Sequence, residues 1–146
     1  MSAFRFSLEQ VLRYRKQLEE QAMLVFSQAV QARDKRLAEK LQYEEDLRGA
    51  QKKLADFTAL DADERWLVSG YITALKYDLE RAKMDLVALE EDVDRSQADL
   101  TQKAQDRKLL EKLKEKQANR HRLAENHREQ QNYDDIATIR FVPPAI

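Results

Sequence analysis

Leu75, Leu79, Ala82, Leu86, Leu89, Val93, Ser96 and Leu100 fall at alternating intervals of four and three. That spacing averages about 3.5 residues, the period of a left-handed coiled-coil seam rather than of a helix lying on a globular core. The frame runs on through Lys103, Arg107, Leu110, Lys114 and Gln117, where it turns polar. The pattern predicts a long helix that outruns the dry part of its partner's interface. A thin, solvated pair of helices has little room for an enclosed active site. The function is therefore expected in what the surface touches.

The first half of the chain predicts the partner helix. Ser7 is the expected N-cap and Gln10 stands three residues on, the spacing of a capping box. Phe6 and Val11 occupy the flanking positions of a hydrophobic staple. An apolar stripe follows through Leu18, Ala22, Val25, Ala29 and Ala32. It is irregular near residues 36–45 and returns as Leu47, Ala50, Leu54 and Phe57. Small alanines on such a stripe let two helices approach closely.

A break is expected at Thr58 to Asp61. Asp61 can cap a second helix whose first turn carries Asp63 and Glu64, acids that complement the helix dipole. The expected fold is all-α, one antiparallel two-helix coiled-coil hairpin: helix 1 over about 7–57, a turn over about 58–61, helix 2 over about 62–132 and an apolar tail over 133–146. At about 1.5 Å per residue, helix 2 is the longer. A turn near residue 60 pairs position i with about 120 − i, setting Leu18 opposite Gln102 and Val11 opposite Leu109.

Composition agrees: 36% of residues are charged, and of the two prolines, Pro143 and Pro144, neither interrupts a helix before the end. There is no cysteine, hence no disulfide, thiol nucleophile or Cys-based zinc site. The opening residues lack the apolar core of a signal peptide, and the longest apolar run, Ala22 to Phe26, is far too short for a bilayer. A cytoplasmic location without membrane insertion is expected. Charge is uneven: 11 basic against 9 acidic side chains over residues 1–57, 5 against 11 over 58–100, and 10 against 7 over 101–146. A hairpin then has a basic end where the termini meet and an acidic turn, unless these are only solvated faces.

Catalytic and cofactor motifs are missing. Two glycines, Gly49 and Gly70, cannot build a phosphate-binding loop. His121 and Glu125 share a helix face, but two ligands are too few for a metal site. The acidic run Glu90-Glu91-Asp92-Val93-Asp94 reads as a solvated face. The basic segment Lys103 to Arg128 lacks interleaved aromatics and contains Asp106, Glu111, Glu115 and Glu125, which argues against nucleic acid. No catalytic residue, cofactor or metal is assigned. One aromatic group stands out: Trp66, Tyr71 and Ile72, then Leu75 and Tyr77. Trp66 with Phe57 could close the seam. Adjacent Tyr71 and Ile72 cannot both be buried on one helix face, so part of the cluster should be exposed as a binding anchor.

Three segments together resemble the flagellar type III export protein FliJ family: Phe4 to Arg15 followed by Glu19-Glu20; Arg65-Trp66 leading to Tyr71-Ile72 and Leu75; and Leu113 to Lys116, Ala124-Glu125-Asn126 and Tyr133 to Ala137. The resemblance covers the whole chain. It implies a non-enzymatic stalk, similar to the central stalk of rotary ATPases. Its paired termini would enter the hexameric export ATPase, and it would link that ring to the export gate's cytoplasmic domain and handle export chaperones. Its place would be the cytoplasm, peripheral at the inner-membrane base of the flagellum. The family's gate-binding face maps onto Tyr71, Leu75, Asp78 and Ala82, of which Asp78 and Ala82 differ in side-chain type from some members. The basic end then assigns Arg13, Arg15, Lys16, Lys112, Lys114 and Lys116 to the ATPase ring. The alternatives are the equivalent stalk of a virulence-type secretion system, or an adaptor or prefoldin-like chaperone coiled coil. The last needs strands between its helices, and the expected turn is too short for them.

Overall fold

In a computed structural model of the chain, residues 2–56 and 58–141 are described. Two helices account for 91% of them: α1, Glu9–Ala55, and α2, Ala62–Arg140. No strand occurs among the described residues. The fold is a long two-helix hairpin with a longer second helix. It divides into two compact units, one of residues 1–19 with 102–146 and one of residues 20–101.

The connection is built by short-range chemistry. Asp56 accepts from both the N–H (3.1 Å) and the hydroxyl (2.8 Å) of Thr58, closing a turn behind α1. Those two donors hold its carboxyl below the usual aspartate range, the hydroxyl contributing more. Asp61 caps α2 as its position predicts: its Oδ1 accepts from the Glu64 N–H at 2.8 Å. Arg65 then donates to the carbonyl of Leu54 at 3.0 Å, tying the first turn of α2 to the last turn of α1.

The other helix start differs from expectation. Residues 7 and 8 form a turn, α1 begins at Glu9, and the Glu9 N–H donates to the Phe6 carbonyl at 3.2 Å. Among the described residues neither Ser7 nor Gln10 makes a capping side-chain bond. Val11 is exposed, and Phe6 packs instead with Leu12, Leu110 and Phe4. The turn before Glu9 swings Phe6 onto the inner face, so its apolar partner is Leu12 rather than Val11. Leu109, expected opposite Val11, is likewise exposed, and Leu110 takes the inner place.

On α2 all thirteen positions of the 4–3 frame from Leu75 to Gln117 are buried or half-buried. Ser96, the one polar residue buried among the described residues, returns its hydroxyl to the Val93 carbonyl at 3.0 Å, so its donor is not stranded. The inner face of α1 follows an equally strict frame: Leu12, Arg15, Glu19, Ala22, Phe26, Ala29, Arg33, Arg36, Lys40, Tyr43, Leu47, Ala50 and Leu54. Phe26 rather than Val25, and Arg33 rather than Ala32, hold the seam; Val25 and Ala32 are exposed. The stretch at 36–45 keeps its period, carried by charged and aromatic side chains. Phe57, the last residue of the expected stripe, lies outside the described residues.

In the unit of residues 20–101, Ala50, Ile72 and Leu75 form the buried cluster, with Tyr43, Leu47, Leu54 and Val68 against it. Arg36 reaches Asp85 at 2.8 Å and Arg33 reaches Glu90 at 3.8 Å. In the other unit Arg107 binds both Glu19 and Glu111, the latter at 2.7 Å, and these carboxylates hold the guanidinium's pKa above its ordinary value. Cross-helix pairs such as Leu12–Leu110, Arg36–Asp85 and Arg33–Glu90 have residue numbers adding to between 121 and 123, close to the 120 expected. α2 does not stop near residue 132; it stays helical to Arg140, so residues 133–140 of the expected tail are helix.

Candidate docking surfaces

The unit that joins residues 1–19 to 102–146 carries 14 basic and 9 acidic side chains; residues 20–101 carry 12 and 18. The six basic residues expected to contact a ring fall into two groups. Arg15 donates to the Asp106 carbonyl at 2.8 Å, Lys114 lies 2.8 Å from Glu9, and Lys16 lies 4.0 Å from Glu111. These three serve the hairpin itself. Lys114 also holds the Glu9 carboxyl below its ordinary range, chiefly by its hydrogen bond. Arg13, Lys112 and Lys116 are exposed, Arg13 being only 3.9 Å from Glu9 in an i, i+4 pair. They present their charge outward.

The same unit holds surface that the sequence pattern did not assign. α2 continues beyond the reach of α1, and Tyr133, Ile136, Ile139 and Phe141 are exposed along its last turns. The signal was present in the apolar residues after Tyr133, but their helical form was not. The N-terminal segment straps the same helix. The Ser2 carbonyl lies 3.0 Å from His121 Nε2, the Ser2 hydroxyl donates to Glu125 at 3.0 Å, and the Phe4 ring packs 5.8 Å from the His121 ring. His121 Nε2 and Glu125 are thus used within the fold. Among the described residues no cluster of metal-ligating side chains occurs, and no helix is long and apolar enough to cross a membrane.

At the start of α2 the four expected gate-binding residues separate. Tyr71 is 51% exposed; Leu75, four residues on, is 4% exposed and part of the buried cluster. Ala82 is wholly inside the seam and Asp78 half-buried at its edge. Only Tyr71 offers a full side chain outward. It lines a groove of about 400 Å³ whose other wall is α1, with Glu45, Asp46, Gly49 and Lys53. Gly49 leaves that wall open, since a Cβ there meets nothing within 4 Å. The contribution of α1 was not legible beforehand, because it depends on which residues lie across from Tyr71. Trp66 is 77% exposed and does not close the seam; Ile72 does.

A family model for the flagellar FliJ protein matches residues 4–144. The chain belongs to the FliJ family. Neither the curated proteins nor the solved structures compared with it contain a match. The FliJ match spans both units and all three segments on which the resemblance was read, including the Tyr71 region and the basic end. Membership gives the chain a role connected with flagellar protein export.

Proposed function

We propose that this protein is the non-enzymatic stalk component of the flagellar export apparatus. In this reading the unit that carries both chain ends contacts the hexameric export ATPase. The groove beside Tyr71 docks the cytoplasmic domain of the export gate, and the exposed coiled-coil surface is available to export chaperones. The protein acts in the cytoplasm at the inner-membrane base of the flagellum. The observation that carries the reading is the FliJ match over nearly the whole chain, which favours the flagellar stalk over its virulence-type counterpart.

Two features of the fold support it. The unit containing the termini has a surplus of five positive charges, while residues 20–101 have a deficit of six. Long-range attraction can therefore steer the two regions toward different partners. The unpaired end of α2 exposes Tyr133, Ile136, Ile139 and Phe141, apolar side chains that gain by burial inside a partner. The test is ATP turnover by the export ATPase of the same organism, with and without this protein. Stimulation that is lost when Ile136, Ile139 and Phe141 are changed to Ser is the expected result. Turnover indifferent to the protein over a wide range of ratios overturns the reading.

A further inference from the structure

The outer face of α2 carries a second seam that is exposed along its length. Trp66, Gly70, Thr73, Tyr77, Glu80, Met84 and Val87 repeat the alternating four-and-three spacing of the inner seam, displaced by two residues. Two residues are about 200° around a helix, so this stripe faces directly away from α1. Its large members are among the most exposed apolar side chains of the unit: Trp66 77%, Met84 72%, Tyr77 66% and Val87 63%. Apolar residues scattered singly on a surface mean little. Here they hold a coiled-coil frame over 22 residues, and that period is what a second helix reads.

The geometry points to a second copy of this chain as the occupant, α2 against α2 in antiparallel orientation. The interface would run over residues 66–84, with its two-fold axis between Thr73 and Tyr77 and Val87 just beyond its edge. Three observations select a copy over an unrelated helix. The stripe is self-complementary: this centre sets Trp66 against Met84 of the second copy and Thr73 against Tyr77 of the second copy, each contact occurring twice. Sulfur on an aromatic ring is a favourable pairing. Glu80, the charged member, falls opposite Gly70, where a Cβ would meet nothing within 4 Å and the carboxylate has room to reach solvent.

The span is also close to charge-balanced. Over residues 66–84 Lys76, Arg81 and Lys83 stand against Asp78 and Glu80, while the acids that make this part of the chain negative lie outside it, at 61–64 and 85–99. Two copies can therefore approach without strong net repulsion, whereas a strongly basic or acidic helix would find no matching field. The area is also right for a reversible pair. Covering these side chains and their flanks on two copies removes roughly 1,000–1,400 Å² from water, at the lower edge of specific interfaces. Association should depend on concentration. The surface is separate from the Tyr71 groove and from the basic residues, so the inference does not depend on the proposed stalk role.

The chain supplies its own probe, since Trp66 is its single tryptophan. Sedimentation equilibrium on the full chain from about 10 µM to about 500 µM should show the mass rising from 17.2 kDa toward twice that value, with Trp66 emission moving to shorter wavelength in parallel. Met84→Lys should abolish both changes while leaving the circular dichroism spectrum intact, because Met84 is 72% exposed in the hairpin. Orientation is read by single cysteines in this cysteine-free chain. A short bis-maleimide should link copies of Ala74→Cys, near the axis, and not copies of Ala88→Cys, which lie roughly 40 Å apart in an antiparallel pair. A monomeric mass at every concentration overturns the proposal. So does a dimer that survives Met84→Lys, or equal cross-linking at both positions. If motility is lost in Met84→Lys although the wild type never dimerises, the stripe serves another polypeptide and the proposal fails.

Discussion

Arg36 on α1 lies 2.8 Å from Asp85 on α2, and the same guanidinium also binds Glu39. Arg36 occupies an inner seam position where a coiled coil ordinarily sets an apolar residue. Its two carboxylates hold its pKa above the ordinary arginine value, the Glu39 hydrogen bond contributing most. A charge at such a position favours the one register that supplies its partner, since a slip leaves it unpaired in a partly desolvated place. Arg36→Glu should lower the melting temperature. Adding Asp85→Arg should recover part of the loss, with positive coupling in a double-mutant cycle. Simple additivity of the two single changes removes the register-setting role.

Acid should loosen the hairpin through two carboxyls. Glu9 is held low chiefly by Lys114, and Asp56 chiefly by the Thr58 hydroxyl. A carboxyl whose folded pKa is depressed stabilises the fold above its unfolded pKa, and that contribution is lost as pH falls through the folded value. The window is therefore acid, running from the ordinary carboxylate range downward. Urea midpoints should fall across it. A Glu9→Gln, Asp56→Asn variant should show a shallower fall, and an identical slope would clear both groups of the effect.

The glycines offer a gain in stability. Gly49 and Gly70 sit inside helices without positive φ, and an added Cβ meets nothing within 4 Å at either. Replacing each with Ala should stabilise by about 0.5–1 kcal/mol, because the unfolded chain loses freedom and the helix gains a better former. Urea unfolding measures this directly, and a lower midpoint in either variant would contradict the open space seen around these residues.

Tyr71 and Leu75 should separate binding from folding. Tyr71→Ala is expected to leave the melting temperature nearly unchanged and to weaken binding to the gate's cytoplasmic domain, while ATPase stimulation survives. Leu75→Ala should cost about 2–4 kcal/mol of stability, since it empties a buried position. Calorimetry with a gate pull-down distinguishes the two. A Tyr71→Ala protein that melts early would make the ring structural.

Among the basic residues, Arg13, Lys112 and Lys116 are the useful probes. Reversing these three to Glu should reduce stimulation of the export ATPase with helicity retained, because exposed charges contribute little to folding. Reversing Arg15 and Lys114 should instead lower the melting temperature, since both are tied across the hairpin. Added salt should weaken the wild-type effect on the ATPase. Stimulation that is unchanged by both salt and the triple reversal would mean the contact is not electrostatic.

Much of the architecture is readable in the sequence alone. The α2 frame from Leu75 to Gln117, the Asp61 cap and the approximate pairing of the helices follow from spacing and from a side chain acting on backbone a few residues away. These are local properties, and the chain carries them wherever it is placed. The inner face of α1 was less legible. Val25 and Phe26 are both apolar and about 100° apart, so apolarity alone cannot choose between them.

By itself, then, the sequence determined that the chain is two long helices joined by a short turn, with a heptad seam and a basic region where its ends meet. Only the tertiary structure decided which neighbour of each ambiguous pair faces inward: Phe26 over Val25, Leu12 over Val11, Leu110 over Leu109. It also decided that Arg33 and Arg36 belong in the seam, because Glu90 and Asp85 stand across from them on α2. It divided the candidate contacts as well. Tyr71 and Leu75 share a helical spacing, yet Leu75 is taken up by packing against α1 while Tyr71 stays outside. Burial and pairing are properties of two surfaces meeting, and one strand of sequence shows only one of them at a time.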